Sequence, residues 1–295
     1  MTFGNSEPTN LNSHQLYNII INDLYKASVI ISMYKNTAFL KVVLDSLKFQ
    51  TERNFEIIIS EDGRHEAVKK FVATYAFEHD YQHLTQEDLG WRKNKALNNA
   101  VRHARSEWLI FIDGDCVLHP RFVEMHLRYA EENTILSGRR VLLDGSTSAY
   151  LLHNTPQSIL KMPTILWKNL LFGKGAILYS EEGFFISPRG LLWFVHRMRS
   201  TNYLLGCNMS FSKKAIYAIN GFDESFAFPA VGEDTDLLWR FLSAGFKLKS
   251  VRSVAVQYHL YHAQAWHDNT ENKKKMQTKM ERNEYFCRQG LIVEE

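Results

Sequence analysis

The run Trp108-Leu-Ile-Phe-Ile-Asp-Gly-Asp115 is the most informative stretch of the sequence. Its apolar residues predict a strand buried on both faces, as in a parallel sheet, and two carboxylates end that strand abruptly. The same layout occurs twice earlier, in Ala27-Ser-Val-Ile-Ile-Ser32 and in Phe55-Glu-Ile-Ile-Ile-Ser60, which is followed by Glu61-Asp62-Gly63. Buried strands with polar ends, separated by long connections, predict an α/β fold with a mostly parallel sheet.

Segments with helical spacing of apolar residues lie between these strands, at Thr37–Gln50, Glu66–Glu78 and Lys93–Arg105. The alternation of strand and helix is typical of parallel strands joined by right-handed crossovers. Elsewhere the patterns predict strands at His83–Thr85, Leu136–Leu143 and Val251–Tyr258, regular structure within Asn202–Phe211, and helices at Lys213–Ile219, Glu233–Gly245 and Glu271–Arg288. The stretch from Ser146 to Thr201 shows no long periodicity and receives no assignment.

The composition is that of an ordinary globular chain, with 45% hydrophobic and 23% charged residues among 295. The 35 basic and 32 acidic residues give a formal charge of +3, and this near balance argues against nucleic-acid binding, which is typical of strongly basic domains. Three cysteines without paired spacing indicate neither a disulfide framework nor a thiolate zinc site, and they favour a reducing cytoplasm. Met1–Tyr25 does not have the layout of a signal peptide, and no stretch approaches the ~20 apolar residues that span a bilayer.

Asp113 and Asp115 lie at the carboxyl end of a predicted strand, which is where ligands bind to parallel sheets. Hard divalent cations such as Mg²⁺ and Mn²⁺ favour oxygen ligands and leave positions for phosphate oxygens. The two carboxylates therefore suit a metal ion that is shared with a phosphorylated ligand. An Asp-Gly turn without any ligand is the alternative interpretation of this short motif.

Two further polar motifs occur in the second half of the chain. Gly232-Glu-Asp-Thr-Asp236 places acids at the start of a predicted helix, where they suit either a general base or the capping of free backbone N–H groups. His259-Leu-Tyr-His262 follows the last predicted strand, and imidazole suits Mn²⁺ acceptably. Zinc is the weaker interpretation of these histidines, because no cysteine lies at a suitable spacing.

In this order, the motifs resemble the inverting GT-A glycosyltransferases of family 2. Val29-Ile-Ile-Ser-Met-Tyr-Lys-Asn36, Glu61-Asp62-Gly63 and Asp113-Gly-Asp115 carry the resemblance in the first half of the chain. The run from Gly206-Cys-Asn208 through Gly232-Glu-Asp-Thr-Asp236 to His259 is similar to the galactosyltransferase-type C-terminal half, which also occurs in chondroitin-polymerase-like enzymes. The resemblance implies a GT-A fold, with a Rossmann-like, mostly parallel central sheet flanked by helices and a C-terminal helical extension.

The resemblance also implies roles for individual residues. Residues that would bind the nucleotide-sugar are Ser32, Tyr34, Asp62, Arg92, Lys95, Asn98, Asp113 and Asn208. Residues that would hold Mn²⁺ or Mg²⁺, with Mn²⁺ favoured, are Asp113, Asp115 and His259, with His262 as a neighbour. Asp234 would be the catalytic base and Glu233 would bind a sugar hydroxyl. Lys95 equally suits an exposed basic helix face, and Asn208 suits a turn.

The implied function is transfer of a sugar, with inversion, from a nucleotide-sugar to a glycan or lipid-linked glycan acceptor in cell-surface polysaccharide synthesis. The family favours a UDP-sugar as the donor. Residues 1–26 are then a polar lead-in, 27–145 the nucleotide-sugar-binding half, 146–262 the acceptor-binding and catalytic half, and 263–295 a C-terminal helical extension. The alternatives are a sugar-nucleotide pyrophosphorylase, whose Gly-rich loop is not matched by Ser32-Met-Tyr-Lys-Asn36, and a non-catalytic glycan-binding module.

Aromatic and basic residues are interspersed between Ser146 and Thr201, among them Trp167, Phe172, Lys161 and Lys168. Packing is the simplest explanation for the aromatic residues. A second interpretation is an acceptor lid that also contacts an anionic membrane surface, as suits a lipid-linked glycan. The chain is accordingly expected in the cytoplasm, with the inner face of the membrane as the place of such a contact.

Overall fold

The computed structural model describes residues 24–154, 157–173, 176–226, 234–263 and 269–292. The strands in this part of the chain are β1 (Ala27–Met33), β2 (Phe55–Glu61), β3 (Tyr81–Thr85), β4 (Trp108–Asp113), β5 (Cys116–Leu118), β6 (Thr134–Ser137), β7 (Val141–Leu142), β8 (Met209–Ser212), β9 (Lys247–Ser250) and β10 (Gln257–His259). The α-helices are α1 (Thr37–Leu47), α2 (Glu66–Thr74), α3 (Lys93–His103), α4 (Phe122–Arg128), α5 (Gly145–His153), α6 (Met162–Phe172), α7 (Trp193–Met198), α8 (Lys213–Ala218), α9 (Asp236–Ser243) and α10 (Thr270–Glu281). Two short 3₁₀ helices span Gln157–Lys161 and Ser180–Gly183.

Seven strands form the central sheet, in the order β3-β2-β1-β4-β8-β6-β9. The pairs β3–β2, β2–β1 and β1–β4 are parallel. Strand β8 is antiparallel to β4 and β6, and β9 is parallel to β6. The predicted mostly parallel sheet is therefore confirmed. The register puts Ser32 of β1 level with Ser60 of β2 and with Asp113 of β4, so the polar strand ends lie side by side.

The apolar strands are explained by burial of both faces of this sheet. Val29 and Ile31 of β1 pack into one core with α1, α2 and α4, whereas Ile30 packs into a second core with α3, α8 and α9. Successive side chains of a strand point to opposite faces. A strand covered by helices on both sides therefore needs an unbroken apolar run, and not an alternating pattern.

A second, three-stranded sheet has the order β5-β10-β7 and carries residues of both halves of the chain. β10 is antiparallel to β5 and parallel to β7, and His259 pairs with both Cys116 and Leu142. Since β5 begins one residue after Asp115, this pairing brings His259 beside the carboxylates that end β4.

Two strand predictions need correction. The segment Leu136–Leu143 is not one strand but parts of β6 and β7, which belong to different sheets. The chain bends at Gly138, whose N–H donates to the Asn208 carbonyl at 2.9 Å, and a Cβ atom there would lie only 2.3 Å from the Asn208 side chain. In the predicted strand Val251–Tyr258, only Gln257 and Tyr258 are in a strand, because the preceding residues form buried turns.

Several element boundaries were also wrong. Helix α9 begins at Asp236, and Glu233, where the prediction began, lies outside the described residues. The last helix ends at Glu281, and the chain then folds back so that the Leu291 side chain packs into the second core. The patterns missed β5, α4 and β9, and the unassigned stretch Ser146–Thr201 contains three α-helices. Within the described ranges, each helix is too short or too polar to cross a bilayer.

Candidate active site

A cavity of about 410 Å³ opens where β1, β2 and β4 end. Its lining comprises Ser32, Met33, Tyr34, Asn36, Phe39, Asp62, Gly90, Trp91, Lys93, Asp113, Gly114 and Asp115. The structure thus brings Ser32, Tyr34, Asp62, Asp113 and Asp115 together, as expected from their positions at strand ends. The lining thus combines the aromatic rings of Tyr34, Phe39 and Trp91 with the carboxylates of Asp62, Asp113 and Asp115.

Asp62 is held in one orientation by its neighbours. Its Oδ1 accepts a hydrogen bond from Gln86 Nε2 at 2.6 Å, and its Oδ2 accepts one from the Arg92 backbone N–H at 2.8 Å. The carboxylate is only 8% exposed, yet it lines the cavity. Each carboxylate oxygen has a further lone pair, so Asp62 is a pre-oriented acceptor for a ligand hydroxyl or N–H group.

Tyr34 forms the exposed aromatic wall of the cavity, with 51% of its surface accessible. Its hydroxyl donates to Asp88 Oδ2 at 3.1 Å, and its ring meets the His65 ring edge to face at 5.2 Å between centroids. His65 Nδ1 in turn lies 2.6 Å from the buried Glu61 carboxylate. These contacts hold the Tyr34 ring in place, and the Lys35 ammonium also lies over the ring, 4.3 Å from its centroid.

Gly114 allows the two acidic residues to approach β1 closely. Its N–H donates to the Ser32 carbonyl at 2.7 Å, and a Cβ atom on Gly114 would lie 2.8 Å from Met33 Cβ. Any other residue at this position would push the strand end away from β1. The Asp-Gly-Asp spacing is therefore set by packing as well as by chemistry.

Lys93 is a cavity residue that the sequence analysis missed. Its Nζ donates to Asp113 Oδ1 at 2.9 Å, whereas Lys95 is exposed and does not line the cavity. Side chains two positions apart on a helix point about 200° away from each other, so only one of these lysines can face the strand ends. In the sequence, only the position of Lys93 in the first turn of α3 could have indicated that this side chain lines the cavity.

Asp115 lies between two histidines. Its Oδ2 is 3.4 Å from His259 Nε2 and 3.2 Å from His262 Nε2, and one ligand atom from each residue fits within a span of 4.8 Å. Burial alone would raise the pKa of Asp115, but hydrogen bonds from the two histidines lower it well below its usual range. The hydrogen bond to Asp115 raises the pKa of His262.

This cluster of Asp115, His259 and His262 fits a divalent transition metal. One carboxylate and two imidazoles suit Mn²⁺ better than Mg²⁺, which prefers an all-oxygen environment. Asp113 is not part of this cluster, and its Oδ1 is paired with Lys93 at 2.9 Å. Within the described residues, the geometry thus favours His262 over Asp113 as the companion of Asp115 and His259.

Asp234 lies just before α9 and is partly buried. Its Oδ2 accepts a hydrogen bond from the Gly206 backbone N–H at 3.3 Å, and its Oδ1 accepts one from the Thr235 N–H at 2.7 Å. Burial raises the pKa of Asp234, although these hydrogen bonds and the charge of Lys93 oppose the increase. A carboxylate with a raised pKa is a stronger base than one in water.

Three other residues that were assigned to nucleotide binding have different surroundings. Asn98 is fully buried, and its amide donates to the Phe222 carbonyl at 2.8 Å. Asn208 is also fully buried and donates to the Arg139 and Ala255 carbonyls. The Arg92 side chain donates to the Glu87 carbonyl, so its backbone N–H is the group that contacts Asp62. Asn98 and Asn208 therefore hydrogen-bond to backbone carbonyls in the interior and do not line the cavity.

Sequence profiles and curated relatives match most of this chain. The profile of glycosyl transferase family 2 matches residues 28–190, and that of the N-terminal domain of galactosyltransferase matches residues 194–263. Chondroitin synthase from Escherichia coli is 26% identical over 246 residues, which cover 79% of this chain and 34% of that protein. Hyaluronan synthase from Pasteurella multocida is 23% identical over 246 residues, which cover 79% of this chain and 24% of that protein. The chain thus spans only about a third or less of the length of these relatives.

The fold is shared with a solved glycosyltransferase. The crystal structure of GalNAc-T7 with UDP, GalNAc and Mn²⁺ aligns with a TM-score of 0.54 and 13% identity, over 83% of this chain and 45% of that one. This likeness and the sheet order confirm the predicted GT-A fold. The family 2 profile covers more than half of the sequence, and the second profile matches the half that resembles galactosyltransferases. The chain therefore belongs to glycosyl transferase family 2.

Proposed function

We propose that this chain transfers a sugar, with inversion, from a UDP-sugar to a hydroxyl of a glycan or lipid-linked glycan during cell-surface polysaccharide synthesis. The observation that carries the proposal is one cavity that combines aromatic rings with Asp62, Asp113, Asp115 and Lys93. A nucleoside diphosphate has matching parts, namely a planar base, ribose hydroxyls and charged phosphates. Two relatives named for chondroitin and hyaluronan synthesis support a polysaccharide product.

The nucleoside would occupy the Tyr34 end of the cavity. Stacking of a base on an aromatic ring stabilises binding by about 1–3 kcal/mol, and the ring of Tyr34 is already fixed by Asp88 and His65. Asp62 would accept a hydrogen bond from the uracil or the ribose. Arg92 would contribute through its backbone N–H, which orients Asp62.

Asp115, His259 and His262 would hold Mn²⁺ in preference to Mg²⁺, because two of the three ligands are imidazoles. When bound, the ion would supply Lewis-acid stabilisation of negative charge on the departing nucleoside diphosphate. Lys93, paired with Asp113, places a fixed positive charge at the same end of the cavity. Asp113 would then contact the ribose or the donor sugar.

Asp234 would take the proton from the acceptor hydroxyl as that oxygen attacks the anomeric carbon. The carbon–oxygen bond to the diphosphate breaks in the same displacement, so no residue needs to act as a nucleophile and the configuration inverts. The raised pKa of Asp234 suits this role, because a stronger base accepts the proton more readily. Glu233 would bind a hydroxyl of one of the sugars.

Thermal unfolding with a panel of nucleotides tests donor binding. UDP or a UDP-sugar with Mn²⁺, at about one hundred times its Kd, should stabilise the protein by ~2.7 kcal/mol. GDP and ADP should stabilise it less. The Tyr34→Ala variant should lose most of the UDP effect, and Tyr217→Ala on α8, which is also exposed, should keep it. Absence of stabilisation by every nucleotide-sugar would refute the proposed donor class.

An exposed apolar face around α6 favours a membrane-associated acceptor. It is formed by Leu160, Trp167, Leu170, Leu171 and Phe172, which are 49–83% exposed. Met162 and Leu166 are the buried residues of this helix, and Lys161 and Lys168 are the basic residues beside it in sequence and within it. Aromatic and aliphatic side chains flanked by lysines match an anionic lipid surface. We propose that this face docks on the inner, cytoplasmic leaflet and brings the site to a lipid-linked glycan.

Flotation with liposomes tests this contact. The protein should float with vesicles that contain about one third phosphatidylglycerol and should float less with pure phosphatidylcholine, because lysines add attraction to anionic lipid. The double variant Trp167→Ser, Phe172→Ser should remain in the dense fraction. Phe286→Ser removes an exposed aromatic residue elsewhere and should float normally. If the unaltered protein does not float with anionic vesicles, the membrane proposal is wrong.

A further inference from the structure

Arg140 lies next to the candidate active site on the three-stranded sheet. It immediately precedes β7, in which Leu142 pairs with His259 of β10, and His259 pairs in turn with Cys116 of β5. Arg140 therefore lies directly before the strand that pairs with His259, one of the three residues of the candidate metal cluster.

The side-chain contacts of Arg140 agree with this placement. Its Nη1 donates to Cys207 Sγ at 3.3 Å, and Gln257 Nε2 donates to the same sulfur at 3.2 Å. The charge of Asp113 acts on Arg140, and the charge of Arg140 acts on His262. The guanidinium thus lies close enough to Asp113 and His262 to interact with both electrostatically.

Arg140 lacks a strong acceptor. Among the residues that the structure describes, its hydrogen-bond partner is a sulfur, which is a weak acceptor, and no carboxylate lies within 4.0 Å of it. Two other arginines with little exposure are paired with carboxylates: the fully buried Arg240 contacts Asp236 at 3.0 Å, and the partly buried Arg105 contacts Glu56 at 2.8 Å. A partly buried guanidinium without an anion is costly, because much of its hydration is lost.

Gln257 is a second sign of unmade hydrogen bonds next to Cys207, because its buried Oε1 has no donor among the described residues. The pattern is that of a positive site without an anionic partner among the residues that the structure describes.

We propose that Arg140 binds anionic oxygens of the substrate, phosphate or carboxylate, beside Asp115 and the two histidines. The proposal rests on the proposed donor site and adds a residue to it. A guanidinium presents parallel N–H groups that match two oxygens of a phosphate or a carboxylate, a geometry that the ammonium of lysine does not offer. The diphosphate and an acidic group on the transferred sugar are the two sources of such oxygens.

Isothermal titration calorimetry on Arg140→Gln distinguishes these sources. The ligands are UDP, UDP-glucose, UDP-glucuronate and inorganic pyrophosphate, each titrated with and without Mn²⁺. A hydrogen bond to a charged group is worth about 1.5–3 kcal/mol, so we expect Kd to rise roughly 10–100-fold for the ligands that Arg140 contacts. Equal losses for UDP, both UDP-sugars and pyrophosphate identify the diphosphate. A loss confined to UDP-glucuronate identifies a sugar carboxylate.

Two control variants accompany this titration. Arg128→Gln removes the same charge from an exposed position on α4 and should leave every Kd unchanged. Arg140→Lys keeps the positive charge but lacks the parallel N–H groups of the guanidinium. It should therefore recover only part of the affinity. Circular dichroism and thermal unfolding show whether each variant is folded.

The titration also separates this proposal from the proposed function. If the unaltered protein binds nucleotides and Arg140→Gln binds all four ligands equally well, the role of Arg140 is refuted and the donor site stands. If the unaltered protein binds no nucleotide, the donor site is refuted, and the pyrophosphate titration alone then decides whether Arg140 binds an anion. Unchanged pyrophosphate binding, or none at all, would in that case refute the proposal for Arg140.

Discussion

Replacing Asp234 with Asn is expected to lower kcat by about 10²–10⁴-fold, the usual contribution of general-base catalysis. Asparagine keeps the size of the side chain and still accepts from the Gly206 N–H, but it cannot take a proton from the acceptor hydroxyl. KM for the UDP-sugar should change little, because Asp234 does not line the nucleotide cavity. Steady-state kinetics of UDP release, with the acceptor saturating, provide the measurement.

The pH profile gives this prediction a second readout. Asp234 acts as a base only when deprotonated, so activity should fall as the pH decreases through its pKa. Burial raises that pKa above its ordinary value, and the acid limb of kcat should therefore lie at a higher pH than for a carboxylate in water. In Asp234→Asn, the residual activity should lack this limb.

A matched control for Asp234 is Asp80→Asn, which alters an exposed carboxylate remote from the cavity and should leave kcat unchanged. Asp234→Asn should unfold at about the same temperature as the unaltered protein if its effect is catalytic. Wild-type turnover by Asp234→Asn, with a normal acid limb, would show that another group takes the proton.

Removing the metal is the second large effect that we expect. Lewis-acid stabilisation of the transition state is worth several kcal/mol, which corresponds to a rate loss of roughly 10²-fold or more. A chelator should therefore abolish turnover, and Mn²⁺ should restore it better than Mg²⁺, because two of the three proposed ligands are imidazoles. Asp115→Asn should reproduce the loss, since an amide oxygen lacks the charge of a carboxylate.

Binding of Mn²⁺ is a readout of the same prediction that does not depend on activity. Electron paramagnetic resonance should show weaker Mn²⁺ binding in Asp115→Asn and in His262→Ala than in the unaltered protein. His153→Ala, an exposed histidine at the end of α5, should bind Mn²⁺ normally. Full turnover in excess chelator would be incompatible with a metal-dependent site.

The comparison of Asp113 with Asp115 shows where sequence analysis of the site reached its limit. Both carboxylates follow the same strand, so the sequence predicts that both lie at the ligand edge, and both line the cavity. Their partners differ because α3 brings Lys93 to Asp113, whereas β10 brings His259 to Asp115. No local pattern around residue 113 indicates either neighbour.

Asn98 and Asn208 illustrate a second limit. A short polar motif shows that a side chain can form hydrogen bonds, but not whether a ligand or the chain itself supplies the partner. Both amides turn out to bind backbone carbonyls in the interior, where unpaired groups would be costly. Arg140 is the opposite case, because a charged residue in an unremarkable stretch lies beside the site without an anionic partner among the described residues.

The sequence by itself determined the class of fold and the edge of the sheet at which ligands bind. Apolar runs such as Val29–Ile31 need helices packed on both faces of the sheet. The polar residues that end these runs can be identified in the sequence. Only the tertiary structure decided which side chains meet there. Lys93 with Asp113, and Asp115 with His259 and His262, are pairs set by helix phase and strand register, which bring together residues 20 to 147 positions apart.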